Sequence, residues 1–134
     1  MKHREHREHR EGASAELSER VLGAAIEVHR ELEPGLLESA YEACLCHELA
    51  LAGLAFKKQW ELSVEYRGLR LGAGFRADLI VEDELLIELK TVDKLLPIHT
   101  AQVLTYLKFS GLRVGLLLNL NERVLRDGIK RLSL

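Results

Sequence analysis

Two short apolar runs, residues 75–81 and 85–91, are separated by three acidic residues at 82–84. Apolar runs of this length around a polar break are typical of a β-hairpin. A three-residue loop at 82–84 pairs Val81 with Leu85 and places Asp78 opposite Glu88. Opposed side chains share a face with Cβ atoms about 5 Å apart, where like charges are destabilising. The hairpin therefore predicts a pair of carboxylates that needs a compensating partner.

Lys90 lies two residues beyond Glu88 and so points to the same face of the predicted strand. Carboxylate oxygens are the ligands that Mg²⁺ or Mn²⁺ prefers, and a neighbouring lysine can orient or activate a water. The pattern is typical of metal-assisted hydrolysis of a phosphodiester. Two alternatives stay open at this point: a two-residue turn would move Asp78 to the other face, and the cluster could be a surface salt-bridge group.

Length and composition narrow the class of protein. The chain has 134 residues, 47% hydrophobic and 30% charged, which favours one globular domain. No apolar run approaches the roughly 20 residues of a bilayer span, and the N-terminus has no secretory pattern, so we expect a cytoplasmic protein that does not enter a membrane. Cys44 and Cys46 diverge on a predicted helix, which excludes a disulfide framework.

The first 13 residues differ from the rest. The triplet His-Arg-Glu occurs three times, at positions 3–5, 6–8 and 9–11. With no apolar residue to bury, this segment is predicted to be a disordered or frayed tail before a single domain at 14–134. Residues 1–11 hold four of the 19 basic and three of the 21 acidic side chains, which leaves 15 and 18 elsewhere. The predicted domain is therefore mildly acidic, so a phosphate partner needs a local basic patch or metal ions.

The periodicity predicts the order of elements. Helical spacing runs from residue 17 to Pro34-Gly35 and again from about 36 to 51, where Gly53 supplies the stop. Residues 60–66 alternate as a half-buried strand before a turn at Arg67-Gly68 and the hairpin. A helix at 98–109 ends at Gly111, residues 113–118 form a buried strand, and 124–132 could be strand or helix. This order predicts an α/β (α+β) fold with helices on a small mixed sheet.

The segment from Gly35 to Tyr41, with Glu38 between them, matches the motif that names the GxxExxY family. Phe-Arg-Ala-Asp at 75–78, Glu-Leu-Lys at 88–90 and the helix around Gln102 follow in the same order. Such proteins resemble the PD-(D/E)xK nuclease superfamily, which implies a restriction-endonuclease-like core in αβββαβ order. The sequence departs from the pattern at Ala77, where proline would precede the aspartate, and at Glu33, where glycine is usual.

The resemblance also implies roles for individual residues. It makes Asp78 and Glu88 metal ligands and Lys90 the group that orients water or stabilises charge. Glu38 would reach the metal directly or through water, which completes a catalytic set of Glu38, Asp78, Glu88 and Lys90. Supporting roles fall to the residues that match the aromatic and amide positions of the family, Tyr41, Gln102 and Tyr106.

The sequence therefore predicts a nuclease dependent on Mg²⁺ (or Mn²⁺) that hydrolyses phosphodiester bonds of DNA or RNA. A single small domain offers little surface to a duplex, so a homodimer is one expected arrangement. The alternative is a non-catalytic module that keeps the nuclease fold and binds nucleic acid or protein. Metal storage through the histidine tail is a third and weaker hypothesis.

Overall fold

A mixed sheet with helices on both faces forms the centre of the protein in a computed structural model. The structure describes residues 2–72 and 75–134, with side chains from residue 15 onward. In this part of the chain the helices are α1 (Lys2–Leu32), α2 (Glu38–Leu51) and α3 (Pro97–Ser110). The strands are β1 (Phe56–Glu61), β2 (Val64–Tyr66), β3 (Leu69–Leu71), β4 (Arg76–Val81), β5 (Leu85–Lys90), β6 (Val114–Asn119) and β7 (Ile129–Ser133).

The strand order across the main sheet is β1-β4-β5-β6-β7, and β2 pairs with β3 in a separate sheet of two strands. β5 and β6 are parallel, whereas the other neighbours in the main sheet are antiparallel. With α3 between β5 and β6, this arrangement confirms the predicted restriction-endonuclease-like fold and its αβββαβ order. The described part of the chain contains no helix with the length and apolar character needed to cross a bilayer.

The β4–β5 hairpin has the predicted loop. Val81 pairs with Leu85 and Leu79 with Ile87, while Glu82 and Asp83 take the positive φ angles that the tight connection requires (53° and 54°). Apolar residues at alternate positions pack against α1 and α2 on one face of the sheet, and those between them pack against α3 on the other. The hairpin is thus buried on both sides and forms a rigid support for side chains at its open end.

The connection from α3 to β6 also follows the prediction. Gly111 ends α3 in the left-handed conformation (φ 77°), and every residue of β6 is buried. At Gly115, an added Cβ would lie 2.9 Å from Val103 Cγ1, so α3 approaches the sheet closely there. This contact fixes the height of α3 above the strands that carry the candidate site.

One predicted strand is wrong. The alternation at 60–66 predicted a continuous half-buried strand, but β1 ends at Glu61 and the chain leaves the main sheet to form the β2–β3 hairpin. Leu62 and Val64 are buried, whereas 40% of Trp60 and 60% of Tyr66 is exposed. The physical reason is that β4 begins at Arg76, opposite Glu61, so the chain beyond this pair has no partner strand in the main sheet and β2 pairs with β3 instead.

For residues 124–132 the sequence left a strand and a helix open, and the structure has a short helical turn followed by a strand. A 3-10 turn at Leu125–Gly128 is followed by strand β7. The predicted tail at residues 1–13 coincides with the start of α1, where the side chains lie outside the described residues. The hypothesis of a metal site among the three tail histidines also falls on side chains that lie outside the described residues.

Asn119, at the end of β6, ties the segment after β5 to the sheet. Its side chain is fully buried; Oδ1 accepts the N–H of Val92 (3.1 Å), and Nδ2 donates to the Val92 carbonyl (2.8 Å). The Leu120 N–H donates to the Lys90 carbonyl at 2.8 Å. These contacts hold the backbone directly after Glu88 and Lys90.

We expect Asn119→Ala to lower the free energy of unfolding by about 2–3 kcal/mol, because it leaves the Val92 N–H without its acceptor and removes the shorter of the two hydrogen bonds to the Val92 carbonyl. Asn121→Ala, which removes a longer hydrogen bond to the same carbonyl (3.3 Å), should cost less than about 1 kcal/mol. Urea unfolding of both variants checks the difference. Equal losses would contradict this role of Asn119.

Candidate active site

The two hairpin carboxylates are held by hydrogen bonds to the backbone of the opposite strand. Beyond the Leu79–Ile87 pair, the Asp78 N–H donates to Glu88 Oε1 at 2.8 Å, and the Leu89 N–H donates to Asp78 Oδ2 at 2.8 Å. The side chains thus take the place of the backbone carbonyls that would continue the ladder. Asp78 and Glu88 are brought together as predicted, each with one oxygen fixed by a backbone donor.

Glu88 is deeply buried, with 3% of its surface exposed. Burial, followed by the negative charge of Asp78, raises the pKa of Glu88 from 4.5 to about 8. The hydrogen bond from the Asp78 N–H and the charge of Lys90 act in the opposite direction. Without a further positive charge, the ionised form of Glu88 is therefore unfavourable near neutral pH.

The surroundings of Asp78 also disfavour its ionised form. Burial raises its pKa, and the hydrogen bond from the Leu89 N–H opposes that rise. The charge of Glu42 also raises the pKa, whereas the Gln59 amide and Lys90 lower it. The two carboxylates thus form a desolvated pair that a nearby cation would stabilise.

Glu38, the first residue of α2, completes the acidic group. Burial and then the charge of Asp78 raise the pKa of Glu38, while Lys90 lowers it. The lysine therefore lies within electrostatic range of the acidic groups contributed by α2, β4 and β5.

These side chains line one cleft with a volume of about 440 Å³. Six of the seven predicted site residues contribute to its wall, Glu38, Asp78, Glu88, Lys90, Gln102 and Tyr106. Gln102 and Tyr106 come from α3, where the Gln102 amide donates to the Tyr106 hydroxyl oxygen at 3.0 Å. Burial and then the charge of Glu88 raise the pKa of Tyr106, so its hydroxyl stays protonated and can donate a hydrogen bond.

Tyr41 is not among the residues that line the cleft. It is 1% exposed, and its hydroxyl donates to the Glu33 carbonyl and accepts the Leu36 N–H at 3.2 Å. Both partners belong to the loop between α1 and α2, in which Gly35 has a φ of 112°. Tyr41 thus fixes the chain immediately before Glu38.

Sequence reasoning missed Gln59 and Glu42. The Gln59 amide donates to Glu42 Oε1 at 2.8 Å and to Asp78 Oδ1 at 3.4 Å. Gln59 lies between the pairs Lys58–Leu79 and Trp60–Ala77, and thus opposite Asp78, with a φ of 49° that is rare in a strand. Glu42 could have been found because it lies one helical turn after Glu38. Gln59 could not, because its place depends on β1 pairing with β4.

The donor set is suited to a small divalent cation. Among the described residues, no group of three or more His, Cys, Asp or Glu side chains has an arrangement that holds a metal ion. A hard cation such as Mg²⁺ commonly uses only one or two protein carboxylates and completes its shell with water and substrate oxygens. Asp78 and Glu88 supply that pair in a desolvated place where a positive charge offsets their repulsion.

The mixed sheet with helices on both faces is consistent with a restriction-endonuclease-like fold, and its central hairpin carries the Asp, Glu and Lys group that the family resemblance implies. The chain belongs to the PD-(D/E)XK nuclease superfamily, because the family model with that description matches residues 15–132. This match confirms the broader of the two resemblances, while the narrower GxxExxY assignment stays a prediction. No curated protein and no solved structure matches the chain.

The raised pKa of Glu88 has a consequence for stability. The folded protein favours the neutral carboxyl, so the contribution of Glu88 is most favourable below pH 4.5 and is lost as the pH rises through about 8. Asp78 and Glu38 act in the same direction. In chelator, we expect the free energy of unfolding to fall by roughly 2–4 kcal/mol between pH 5 and pH 8.5.

Glu88→Gln should remove most of this decrease, because the amide does not titrate. Denaturant unfolding of both proteins across this pH range checks the expectation, and millimolar Mn²⁺ at pH 8.5 should restore stability to the unmodified protein more than to the variant. An equal pH slope in the two proteins would contradict the assignment to Glu88.

Proposed function

We propose that the protein is a divalent-metal-dependent nuclease that hydrolyses phosphodiester bonds of DNA or RNA. The observation that carries the proposal is the convergence of Asp78, Glu88, Lys90 and Glu38 on one cleft. The two hairpin carboxylates are fixed by backbone N–H groups at 2.8 Å, which is the preorganisation that a catalytic site requires. Membership of the nuclease superfamily supports the same activity and nucleic acid as its substrate class.

Asp78 and Glu88, with Glu38 directly or through water, would hold Mg²⁺ or Mn²⁺. Such an ion lowers the pKa of a water molecule, polarises a phosphoryl oxygen and offsets negative charge in the transition state. Glu38 comes from a helix and the other two carboxylates from the hairpin, so the site depends on the packing of α2 against the sheet.

Lys90 supplies a positive charge to the cleft. Its ammonium group opposes the rise in the pKa of Glu88, Asp78 and Glu38 that burial causes, and so favours the ionised forms that bind a cation. The ammonium can also donate a hydrogen bond to the attacking water or to a phosphoryl oxygen. We therefore assign it the orientation of water and the stabilisation of charge at phosphorus.

Gln102 and Tyr106 form the wall that α3 contributes to the cleft. Because the Tyr106 oxygen accepts the Gln102 amide, its own O–H remains available to donate to a phosphate or to a carboxylate. These two residues would position the nucleic-acid backbone. Tyr41 has a positioning role, since it holds the loop that leads into Glu38.

The second candidate is a non-catalytic module that binds nucleic acid or protein. One observation favours it: burial raises the pKa of Glu88 to about 8, so the ionised form that binds a cation is unfavourable near neutral pH. In such a module the charged cleft would bind the nucleic acid or protein partner without cleaving it. The two functions differ in whether any polymer is cleaved. A homodimer and a cytoplasmic location stay predictions of the sequence.

We expect the purified protein to cleave single-stranded or duplex DNA or RNA with Mg²⁺ or Mn²⁺ and not in chelator. Asp78→Asn and Lys90→Ala should each reduce the rate at least about a hundredfold, because each removes a charged group from the reaction centre. Gel assays with end-labelled polymers measure the rate, and calorimetry follows metal binding. Matched controls are Asp127→Asn and Lys130→Ala, which change exposed residues near the opposite edge of the sheet and should retain full activity.

Cleavage that survives in Asp78→Asn would show that the activity does not come from this site. If Asp78→Asn abolished metal binding but the unmodified protein cleaved no polymer, the binding module would replace the nuclease as the proposed function.

A further inference from the structure

The β2–β3 hairpin lies outside the core and outside the proposed catalytic set. At its base, the Leu62 N–H donates to the Phe75 carbonyl at 2.7 Å. Gly72 and Phe75, where the chain returns from the hairpin, line the candidate active site. The hairpin therefore starts at the rim of the cleft, and its length from base to turn corresponds to about 16 Å of strand.

The hairpin becomes more exposed from its base to its turn. At the base, Val64 is 5% and its partner Leu71 38% exposed, whereas Tyr66 and Leu69, which are paired next to the turn and share one face, are 60% and 59% exposed. At the turn, the Arg67 guanidinium carbon lies 5.4 Å from the centroid of the Tyr66 ring. An exposed aromatic ring beside a guanidinium thus forms the end of the hairpin.

The charge of the cleft explains why a nucleic acid would need a binding surface outside it. The cleft is lined by four acidic side chains (Glu38, Glu61, Asp78 and Glu88) and two basic ones (Arg76 and Lys90). Its formal charge is therefore negative, and it repels a polyanion unless cations are bound. The chain beyond residue 11 is also acidic, with 15 basic and 18 acidic side chains. A nucleic acid that reaches the cleft therefore needs favourable contacts outside it.

An aromatic ring next to a guanidinium matches a nucleobase and its adjoining phosphate. Stacking on a side chain requires a base whose face is free, which single strands provide and the interior of a duplex does not. The observations therefore favour a single-stranded segment over a duplex as the occupant of this surface.

We propose that the β2–β3 hairpin binds a single-stranded segment of DNA or RNA a few nucleotides from the bond at the cleft, with Tyr66 stacking on a base and Arg67 contacting a phosphate. The proposal rests on the nuclease function in so far as the segment belongs to the polymer that enters the cleft.

The test measures binding without cleavage. Fluorescence anisotropy in chelator would follow a labelled single-stranded 15-mer and a duplex of equal length. Tyr66→Ala should weaken binding of the single strand about tenfold, and Tyr66→Phe should restore it, since the ring does the stacking. Arg67→Ala should weaken binding and reduce the slope of log affinity against log salt by about one.

Arg70→Ala is the matched control. It removes the same charge from the same hairpin, but Arg70 pairs across from Glu65 on the other face, and the two side chains lie 4.0 Å apart. We expect a change of less than about threefold on its substitution, because Arg70 is already paired. The three substituted residues and Glu65 are all exposed, so we expect every variant to fold. Thermal unfolding of each variant checks this.

Several outcomes would overturn the proposal. These are unchanged single-strand affinity in Tyr66→Ala, equal effects of Arg67→Ala and Arg70→Ala, or no binding of any oligonucleotide. A dimer in sedimentation that Tyr66→Ala dissociates would mean that the surface meets a second copy of the chain instead.

The two proposals fail in distinguishable ways. If binding depended on Tyr66 but the unmodified protein cleaved no polymer, the proposed nuclease function would be rejected and the proposed binding surface on the hairpin would be supported. If cleavage depended on Asp78 but substitution of Tyr66 changed neither single-strand binding nor KM, the nuclease function would be supported and the proposed binding surface on the hairpin would be rejected.

Discussion

The exchange of hydrogen bonds between Asp78 and the opposite strand is the interaction on which the site depends. Each carboxylate of the hairpin replaces a backbone carbonyl as the acceptor of an N–H group across the hairpin. The sheet can therefore end its β4–β5 ladder without leaving buried donors unpaired. Two carboxyl groups are thereby held where they are desolvated, and the raised pKa of Glu88 shows that ionising both of them is unfavourable. The apolar layers on both faces of β5 offset the cost of this desolvation, as expected where stability is exchanged for a preorganised site.

The parts of the fold that could be predicted are those set by local geometry. A three-residue acidic loop determines the hairpin register, and the register brings Asp78 to Glu88 and places Lys90 beside them. Left-handed Gly111 marks the end of α3 because few other residues adopt that conformation. These features need no knowledge of which distant strands are neighbours.

The parts that could not be predicted depend on long-range pairing. A period of two at 60–66 indicates extended chain but does not say which strand each half pairs with, so the break after Glu61 was missed. Gln59 was missed for the same reason, since it meets Asp78 through the β1–β4 register. In both cases the local pattern is satisfied, and the tertiary arrangement decides the contact.

Glu38 and Tyr41 show how a short motif can serve a site through its backbone. The two residues are three apart on α2, and helical spacing alone predicts that they share a face. In the fold, Glu38 lies on the cleft, whereas Tyr41 is buried and binds the loop that precedes the helix. Because α2 begins at Glu38, the position of that carboxylate depends on how the loop enters the helix. The tyrosine hydroxyl fixes this entry, so the spacing between the two residues links the loop conformation to the acidic group of the cleft.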